Sequence, residues 1–220
     1  MASSKLTAMQ DEVLHAFFAR ERGFFLTGGA ALAGFYLHHR TTDDLDLFAV
    51  DADAFERGRH VLADLAAELG AQHEVRQEAP GFRRTVLRRG DDAVVVDLVF
   101  DRAPQIVREK PTFDGIRVDP PEEIVANKLT ALVGRMEERD LVDLMCLDRA
   151  GYAVEPALAD ALTKDGGCTP ATLAWLLSEM SIPDGVKLPA GVTPGELREF
   201  VATLQVRLRR FAFPTAPSAS

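Results

Sequence analysis

The sequence predicts an α+β fold, with strands and helices mixed in about the first half of the chain and helices in the second half. Two observations predict this division. Short apolar runs of strand length alternate with longer segments of helical periodicity as far as Phe100. Beyond them, the turn-rich segment PTFDGIRVDPPEE (111–123) leads into sequence that is helical almost throughout to Arg210. We therefore predict a core over residues 1–112 and a helical part over residues 113–220.

Hydrophobic periodicity and turn residues set the bounds of the predicted elements in the first half. The predicted helices are Leu6–Arg20, Gly29–Leu37 and Ala54–Leu69. The predicted strands are Phe24–Leu26, Leu45–Val50, His73–Gln77, Arg83–Arg88 and Ala93–Phe100. The turn RGDDA (89–93) joins the last two strands as a hairpin.

Start and stop signals divide the helical second half. Asp119, followed by two prolines and two glutamates, marks a helix start. The segments KDGGCTP (164–170) and SIPDGVKLPAGVTPGE (181–196) interrupt the helices. The closing residues PTAPSAS (214–220) are typical of a frayed tail.

The charge balance limits the classes of function. Of 220 residues, 34 are acidic and 25 are Lys or Arg, so the formal net charge is −9. A chain this acidic should not coat nucleic acid non-specifically, because phosphate contacts need a surplus of cations. Two basic segments, RRTVLRR (83–89) and RLRRF (207–211), could still guide an RNA locally. The first of them alternates as a strand does, and we interpret it as a solvated face.

The cysteines and the N-terminal residues indicate the compartment. Cys146 and Cys168 lie 22 positions apart, without the spacing of a zinc site or a disulfide framework. We therefore expect a reduced, cytoplasmic protein with both thiols buried. The N-terminal residues lack the apolar run of a signal peptide or a membrane span, so we expect no membrane partner.

A pair of acids in the stretch RTTDDLDLFAV (40–50) gives the first indication of chemistry. Asp44 and Asp46 flank a leucine in a predicted strand, so their side chains point to one face with α-carbons about 6.5 Å apart. Asp97 lies within AVVVDLVF (93–100), an apolar run typical of a central strand covered on both faces. A buried charge there is costly unless it is paired or metal-bound. If the two strands are neighbours, the three carboxylates converge, and Mg²⁺ or Mn²⁺ could supply the counter-charge.

Each of these acids also has an ordinary explanation. Asp44 or Asp46 alone is typical of a strand start or a solvated surface, and Asp97 alone could be paired with an arginine. An EF-hand loop counted from Asp44 fails, because its sixth position is Ala49 instead of Gly and its twelfth is Phe55 instead of Glu. A metal site therefore depends on the convergence of all three acids.

Upstream of the acid pair, LTGGAAL (26–32) places two glycines between a predicted strand and a predicted helix. The backbone N–H groups of Gly28 and Gly29 could hold phosphate oxygens there, since glycine lets the backbone approach a ligand closely. The alternative is simply a tight turn. Beside a metal-binding carboxylate cluster, such a turn would suit the transfer of a phosphoryl or nucleotidyl group.

The segment EEIVANKLTALVGRMEERDLVDL (122–144) supplies candidate cations. Lys128, Arg135 and Arg139 fall within about 40° of one another if the helix is continuous. A bent pair of helices around the internal glycine could also bring them together. Three such cations could bind a triphosphate. The alternative is a solvated face with weak surface pairs, in which Arg139 and Asp143 mainly brace one helix.

The order of these motifs resembles the AbiEii/AbiGii toxin group of nucleotidyltransferases, within the DNA polymerase β-like superfamily. The segments that carry the resemblance are GGAAL, HRTTDDLDLF, VVVDLVF and ANKLTALVGRMEERDLVDL, between about Phe24 and Leu147. The resemblance implies a polymerase β-like core with a mixed β-sheet flanked by helices, and a helical C-terminal part that completes the active-site cleft. It also implies a toxin of a toxin–antitoxin or phage-defence system, with a cognate antitoxin protein as partner.

The resemblance further implies roles for individual residues. Asp44 and Asp46 would hold two Mg²⁺ or Mn²⁺ ions that bridge the phosphates of an NTP, and Asp97 would hold one ion and draw the proton from the acceptor hydroxyl. Nucleotide contacts are implied for Gly28, Gly29, Arg40, Lys128, Arg135 and Arg139, with Asp140 and Asp143 as structural support. The superfamily commonly has Gly-Ser at the glycine turn, so a serine hydroxyl is missing here.

The function predicted from the sequence is therefore transfer of an NMP from an NTP, with release of pyrophosphate, to RNA such as tRNA or to a protein. Two alternatives stay open at this point. One is a nucleotide-binding regulatory protein without turnover. The other is a nucleotidyltransferase that modifies a small molecule such as an antibiotic.

Overall fold

The computed structural model describes residues 4–213, so the frayed tail predicted for residues 214–220 lies outside the described residues. The described chain forms two compact units. The first contains the described residues up to Ala103 together with Val107–Pro120, and the second contains Pro104–Ile106 and the described residues from Pro121 onward. The division of the chain into domains at residue 112 stays a prediction.

A five-stranded sheet forms the centre of the first unit. Its strands are β1 (Phe24–Thr27), β2 (Asp44–Ala49), β3 (Gln72–Ala79), β4 (Phe82–Arg89) and β5 (Asp92–Phe100). They are arranged in the order β1-β2-β5-β4-β3. Because β2 and β5 run parallel and the other neighbouring pairs are antiparallel, the mixed sheet of the predicted fold class is confirmed. The apolar β5 is its middle strand, as predicted.

Three helices accompany the sheet, namely α1 (Ala8–Phe18), α2 (Gly28–Ala31) and α3 (Ala52–Glu68). The second continues as a π-helical turn over Leu32–Tyr36, within the helix predicted for Gly29–Leu37. One face of β2 and β5 is buried around Leu45, Leu47, Val96 and Leu98. The helix α3 contacts both strands, and α1 contacts β5.

The opposite face of β5 carries Val95, Asp97 and Val99. Both valines are only half-buried, so the prediction of a strand fully covered on both faces is wrong. The branched side chain of valine suits a pleated strand even where burial is partial, and a run of valines therefore does not require two covered faces. This half-open face is where the acids lie.

A short hairpin in the first unit was not predicted. Its strands β6 (Thr112–Phe113) and β7 (Ile116–Arg117) are joined by a turn in which Asp114 and Gly115 have positive φ. Strands of two residues have no detectable periodicity, so the sequence of this segment indicates turns and does not indicate strands. The residue after β7, Val118, bridges to Leu26 and attaches the hairpin to the sheet.

The second unit is built of five helices longer than one turn. They are α4 (Pro121–Gly134), α5 (Glu138–Arg149), α6 (Leu158–Lys164), α7 (Pro170–Glu179) and α8 (Pro194–Ala212). The two predicted interruptions separate α6 from α7 and α7 from α8. The side chains of Thr169 and Thr193 accept hydrogen bonds from backbone N–H groups of the helices that follow them, which is why α7 and α8 begin there.

Ion pairs and thiols complete the interior of the second unit. Lys164 Nζ lies 2.5 Å from Glu123 Oε1, with both side chains almost fully buried. Cys168 is buried, but Cys146 is only half-buried, so the prediction of two buried thiols is wrong for Cys146.

None of the helices within residues 4–213 combines the length and the apolar character needed to cross a lipid bilayer.

Candidate active site

Three carboxylates converge on the half-open face of the sheet. Asp46 and Asp97 are direct neighbours across the parallel pair of β2 and β5. Asp44 lies two residues earlier on β2, so its side chain points to the same face. Each of the three offers an oxygen, and these oxygens all lie within 4.8 Å of one another. Asp97 is only 4% exposed, while Asp44 and Asp46 are half-buried.

A series of hydrogen bonds connects α1 to the start of β2, where Asp44 lies. Gln10 closes the capping box of α1 by accepting from the Thr7 backbone N–H at 2.8 Å. The side-chain amide of Gln10 also donates to the Thr42 carbonyl at 2.8 Å. The Thr42 hydroxyl in turn donates to Asp44 Oδ1 at 2.9 Å. Because Gln10 and Thr42 are buried, these hydrogen bonds position the Asp44 carboxylate.

The glycine turn lies directly against the acids. Gly28 has φ of 65°, in the left-handed region that glycine adopts without strain. A β-carbon at position 28 would collide with Asp46, and one at position 29 would collide with the guanidinium of Arg40. The hydroxyl of Thr27, whose residue pairs with Asp46 across β1 and β2, is buried without a hydrogen-bond partner among the described residues. Arg40 and Asp46 thus both pack directly against the glycine turn.

Asp97 is paired with an arginine, Arg84, which is the ordinary explanation considered for this acid. Arg84 Nε donates to Asp97 Oδ1 at 2.8 Å and its Nη2 donates to Asp97 Oδ2 at 2.6 Å. The hydrogen bonds to Asp97 raise the pKa of the Arg84 guanidinium above its ordinary value against the opposite effect of burial, and the negative charges of Asp97, Asp44 and Asp46 add to the rise. The interpretation of Arg84 as part of a solvated face is therefore wrong.

The donor set fits a hard divalent cation. Carboxylate oxygens are the ligands that Mg²⁺ and Mn²⁺ prefer, and the oxygens of Asp44, Asp46 and Asp97 are close enough to share one ion. Gly28 lies directly against the Asp46 carboxylate, and Gly29 lies directly against the guanidinium of Arg40. The cluster can therefore hold a metal ion directly beside the glycine turn.

A second polar cluster lies inside the helical unit. Lys128 Nζ is 2.7 Å from Asp140 Oδ1 and 2.7 Å from Asp143 Oδ2, and both aspartates are fully buried. Burial alone would lower the pKa of Lys128, but the charges of Asp143 and Asp140 and their hydrogen bonds outweigh it and raise the pKa. Arg135 Nε also reaches Asp140 Oδ2, at 3.2 Å. Asp140 and Asp143 thus both contact the Lys128 ammonium group, and their role as structural support stays a prediction.

The continuous helix considered for these cations is not formed. The helix α4 ends at Gly134 and α5 begins at Glu138, which corresponds to the bent pair of helices. The bend brings Lys128 and Arg135 together on Asp140, but Arg139 lies apart, with its Nε 2.6 Å from Glu137 Oε2. The predicted pair of Arg139 and Asp143 is therefore wrong, because Asp143 faces Lys128 across the two helices.

One signal in the sequence could have identified Arg84. The two-residue turn Gly90-Asp91 pairs Arg89 with Asp92, and this register then places Arg84 opposite Asp97. The roles of Gln10 and Thr42 had no such signal, since their contact joins residues 32 positions apart through a loop.

Comparisons with known proteins agree with this geometry. The model of the family described as Nucleotidyl transferase AbiEii toxin, Type IV TA system, matches residues 13–211. No protein in the curated set gives a significant match to the sequence.

Among solved structures, a candidate nucleotidyltransferase from H. pylori is similar with a TM-score of 0.53 at 17% identity, covering 91% of this chain and 93% of the other. The protein JHP933 from Helicobacter pylori is similar with a TM-score of 0.51 at 17% identity, covering 92% and 91%. At this level of identity, the two structures establish a shared fold.

Proposed function

Because the chain belongs to the AbiEii family of nucleotidyl transferase toxins of type IV toxin–antitoxin systems, we propose that it transfers a nucleoside monophosphate from an NTP to an acceptor hydroxyl in a metal-dependent reaction. The observation that carries this proposal is the convergence of Asp44, Asp46 and Asp97 within 4.8 Å of one another. Clustered acids of this kind require a counter-charge, and a divalent cation provides it together with the chemistry of phosphate transfer.

The acids and the glycine turn have separate tasks in this proposal. Asp44 and Asp46 would hold two Mg²⁺ or Mn²⁺ ions, and Asp97 would hold one of them and take the proton of the acceptor hydroxyl. When bound, the ions neutralise charge on the attacking and leaving oxygens. The backbone N–H groups of Gly28 and Gly29 hold phosphate oxygens, which the absence of a β-carbon at these positions permits.

The cations supply the remaining phosphate contacts. Arg40 lies against Gly29, at the position of the turn that would hold phosphate. We propose that the Lys128 ammonium group, which has three N–H donors and contacts Asp140 and Asp143, also binds a phosphate oxygen. We propose Arg135 as an additional contact and Arg139 as a weaker one, because Arg139 is paired with Glu137.

The acceptor is proposed to be an RNA such as tRNA, or a protein, and an antitoxin is the proposed partner. The two basic segments have fewer available cations than the sequence suggests. Arg84 pairs with Asp97, Arg89 pairs with Glu12, and Arg207 lies between two acids. Any contact of these segments with RNA therefore depends on their remaining arginines.

Label transfer tests the proposal. The protein is incubated with each α-labelled NTP, Mg²⁺ or Mn²⁺, and either total RNA or a protein extract. We expect label in one acceptor class with the wild type, no label with Asp46→Asn, and full labelling with Asp92→Asn, a matched change at an exposed acid on β5. Nucleotide binding without transfer to any acceptor would favour the regulatory alternative, and labelling of an antibiotic alone would favour the small-molecule alternative.

A further inference from the structure

The contact between Arg84 and Asp97 is set by the sheet itself. The two residues are direct neighbours in the antiparallel pair of β4 and β5, and Asp97 is also the direct neighbour of Asp46 in the parallel pair of β5 and β2. Arg84, Asp97 and Asp46 therefore lie in one row across three strands. The guanidinium takes both oxygens of Asp97 in a two-point contact, the strongest arrangement available to this pair of side chains.

The two partners differ in exposure. The Asp97 side chain is 5% exposed, whereas the Arg84 side chain is 41% exposed. A carboxylate this deeply buried requires a cation. Arg84, in contrast, has a long side chain whose charged end can turn toward water at little cost. Asp97 thus needs a cation more than Arg84 needs an anion.

We propose that Arg84 is the internal counter-cation of the metal site, and that it competes with the divalent ion for the Asp97 carboxylate. The inference rests on the metal binding of the proposed function. In the metal-free protein, Arg84 neutralises Asp97 and holds it beside Asp46. On metal binding the guanidinium would leave Asp97 and turn outward, because its charge repels a divalent ion held on the same carboxylate oxygens.

Release of Arg84 also bears on the chemistry. While the guanidinium holds both oxygens, it occupies two of the about four lone-pair sites of the Asp97 carboxylate and covers both oxygens on its side. Release of the guanidinium would therefore give an acceptor hydroxyl access to the Asp97 oxygens that Arg84 covers.

Mn²⁺ titration followed by electron paramagnetic resonance tests the competition. Arg84→Gln removes the charge and the two-point contact, and Arg88→Gln removes an exposed arginine from the same strand as the matched control. We expect Arg84→Gln to bind Mn²⁺ roughly tenfold more tightly, the size of effect expected from hydrogen bonds between charged groups. Arg88→Gln should match the wild type. Equal or weaker binding by Arg84→Gln would overturn the inference.

A double-mutant cycle separates competition for Asp97 from a general effect of charge. In an Asp97→Asn background, Arg84→Gln should no longer change Mn²⁺ affinity, because the shared ligand is gone. An undiminished effect in that background would mean that Arg84 acts through space, and the inference would fail.

A measurement on the wild type covers the case in which Arg84→Gln does not fold. The Nε–H resonance of Arg84, assigned from its loss in Arg84→Lys, should shift toward that of a solvent-exposed arginine on saturation with Mg²⁺. An unshifted resonance at saturation contradicts the inference while leaving the proposed function intact. Absence of Mn²⁺ binding by the wild type and by every folded variant at Arg84 would contradict both the inference and the proposed function.

Discussion

Gly28 and Asp46 are in contact so close that position 28 has no room for a side chain. A β-carbon there would overlap the Asp46 carboxylate, and the φ of 65° at Gly28 is one that other residues adopt only with strain. The turn before α2 and the acid on β2 therefore depend on each other.

Gly28→Ala should lower both stability and metal binding. Gly70→Ala is the matched control, because Gly70 has φ of 63° and nothing within 4 Å of the added β-carbon. The control should cost about 1–2 kcal/mol from the left-handed backbone alone, and Gly28→Ala about 1–3 kcal/mol more from overpacking. Urea unfolding measures the difference. Equal losses for the two variants would show that the contact with Asp46 is not tight.

Thr42→Val should weaken the metal site while leaving the fold intact. The change keeps the shape of the buried side chain but removes the hydroxyl that donates to Asp44 Oδ1. Loss of a hydrogen bond that orients a metal ligand typically costs roughly 10–100-fold in affinity or activity. Mn²⁺ affinity and label transfer measure it, with the exposed Thr41→Val as control. Unchanged Mn²⁺ affinity in Thr42→Val would argue against a positioning role for Thr42.

Lys128→Met should be strongly destabilising. It leaves Asp140 and Asp143 buried without their shared cation, and breaking a buried ion pair from one side costs about 3–5 kcal/mol. Arg139→Met, at a side chain 46% exposed, should cost less than about 1 kcal/mol. Thermal unfolding of both variants makes the comparison. A second change, Asp140→Asn, should restore part of the loss in Lys128→Met, and the absence of any recovery would contradict this account.

The contact between Arg207 and Glu155 should make the free energy of unfolding depend on pH in the acid range. Arg207 Nη1 and Nη2 bind Asp148 at 2.7 and 2.8 Å, and the same guanidinium contacts Glu155. The hydrogen bond from Arg207 lowers the pKa of Glu155 below its ordinary value of 4.5. A lowered carboxyl pKa stabilises the fold above the ordinary value, and this contribution is lost as the pH falls through the lowered value.

Arg207→Met should therefore be less stable than the wild type by about 1–3 kcal/mol at pH 7, and the gap should narrow steadily below about pH 4.5 as Glu155 is protonated. Urea unfolding at a series of pH values measures the gap. The exposed Arg209→Met on the same helix serves as control and should show a small gap at every pH. A gap for Arg207→Met that is constant down to pH 3 would contradict the assignment to Glu155.

Local patterns explain why much of the first unit could be predicted. Period-two alternation in Leu45–Val50 and the apolar run before Phe100 depend on residues adjacent in sequence, and both became strands of one sheet. The hairpin of β6 and β7 and the supporting contact of Gln10 with Thr42 could not be predicted, because each depends on packing between short or distant segments.

By itself, the sequence determined the kinds of elements, the positions of the three acids and the glycine turn, since periodicity and turn chemistry act over a few neighbouring residues. Only the tertiary structure decided which charges meet: Arg84 with Asp97, Lys128 with Asp140 and Asp143, and Arg139 with Glu137. The physical reason is that a charged side chain pairs with the nearest opposite charge in space, and nearness in space is set by strand register and by the bend between α4 and α5.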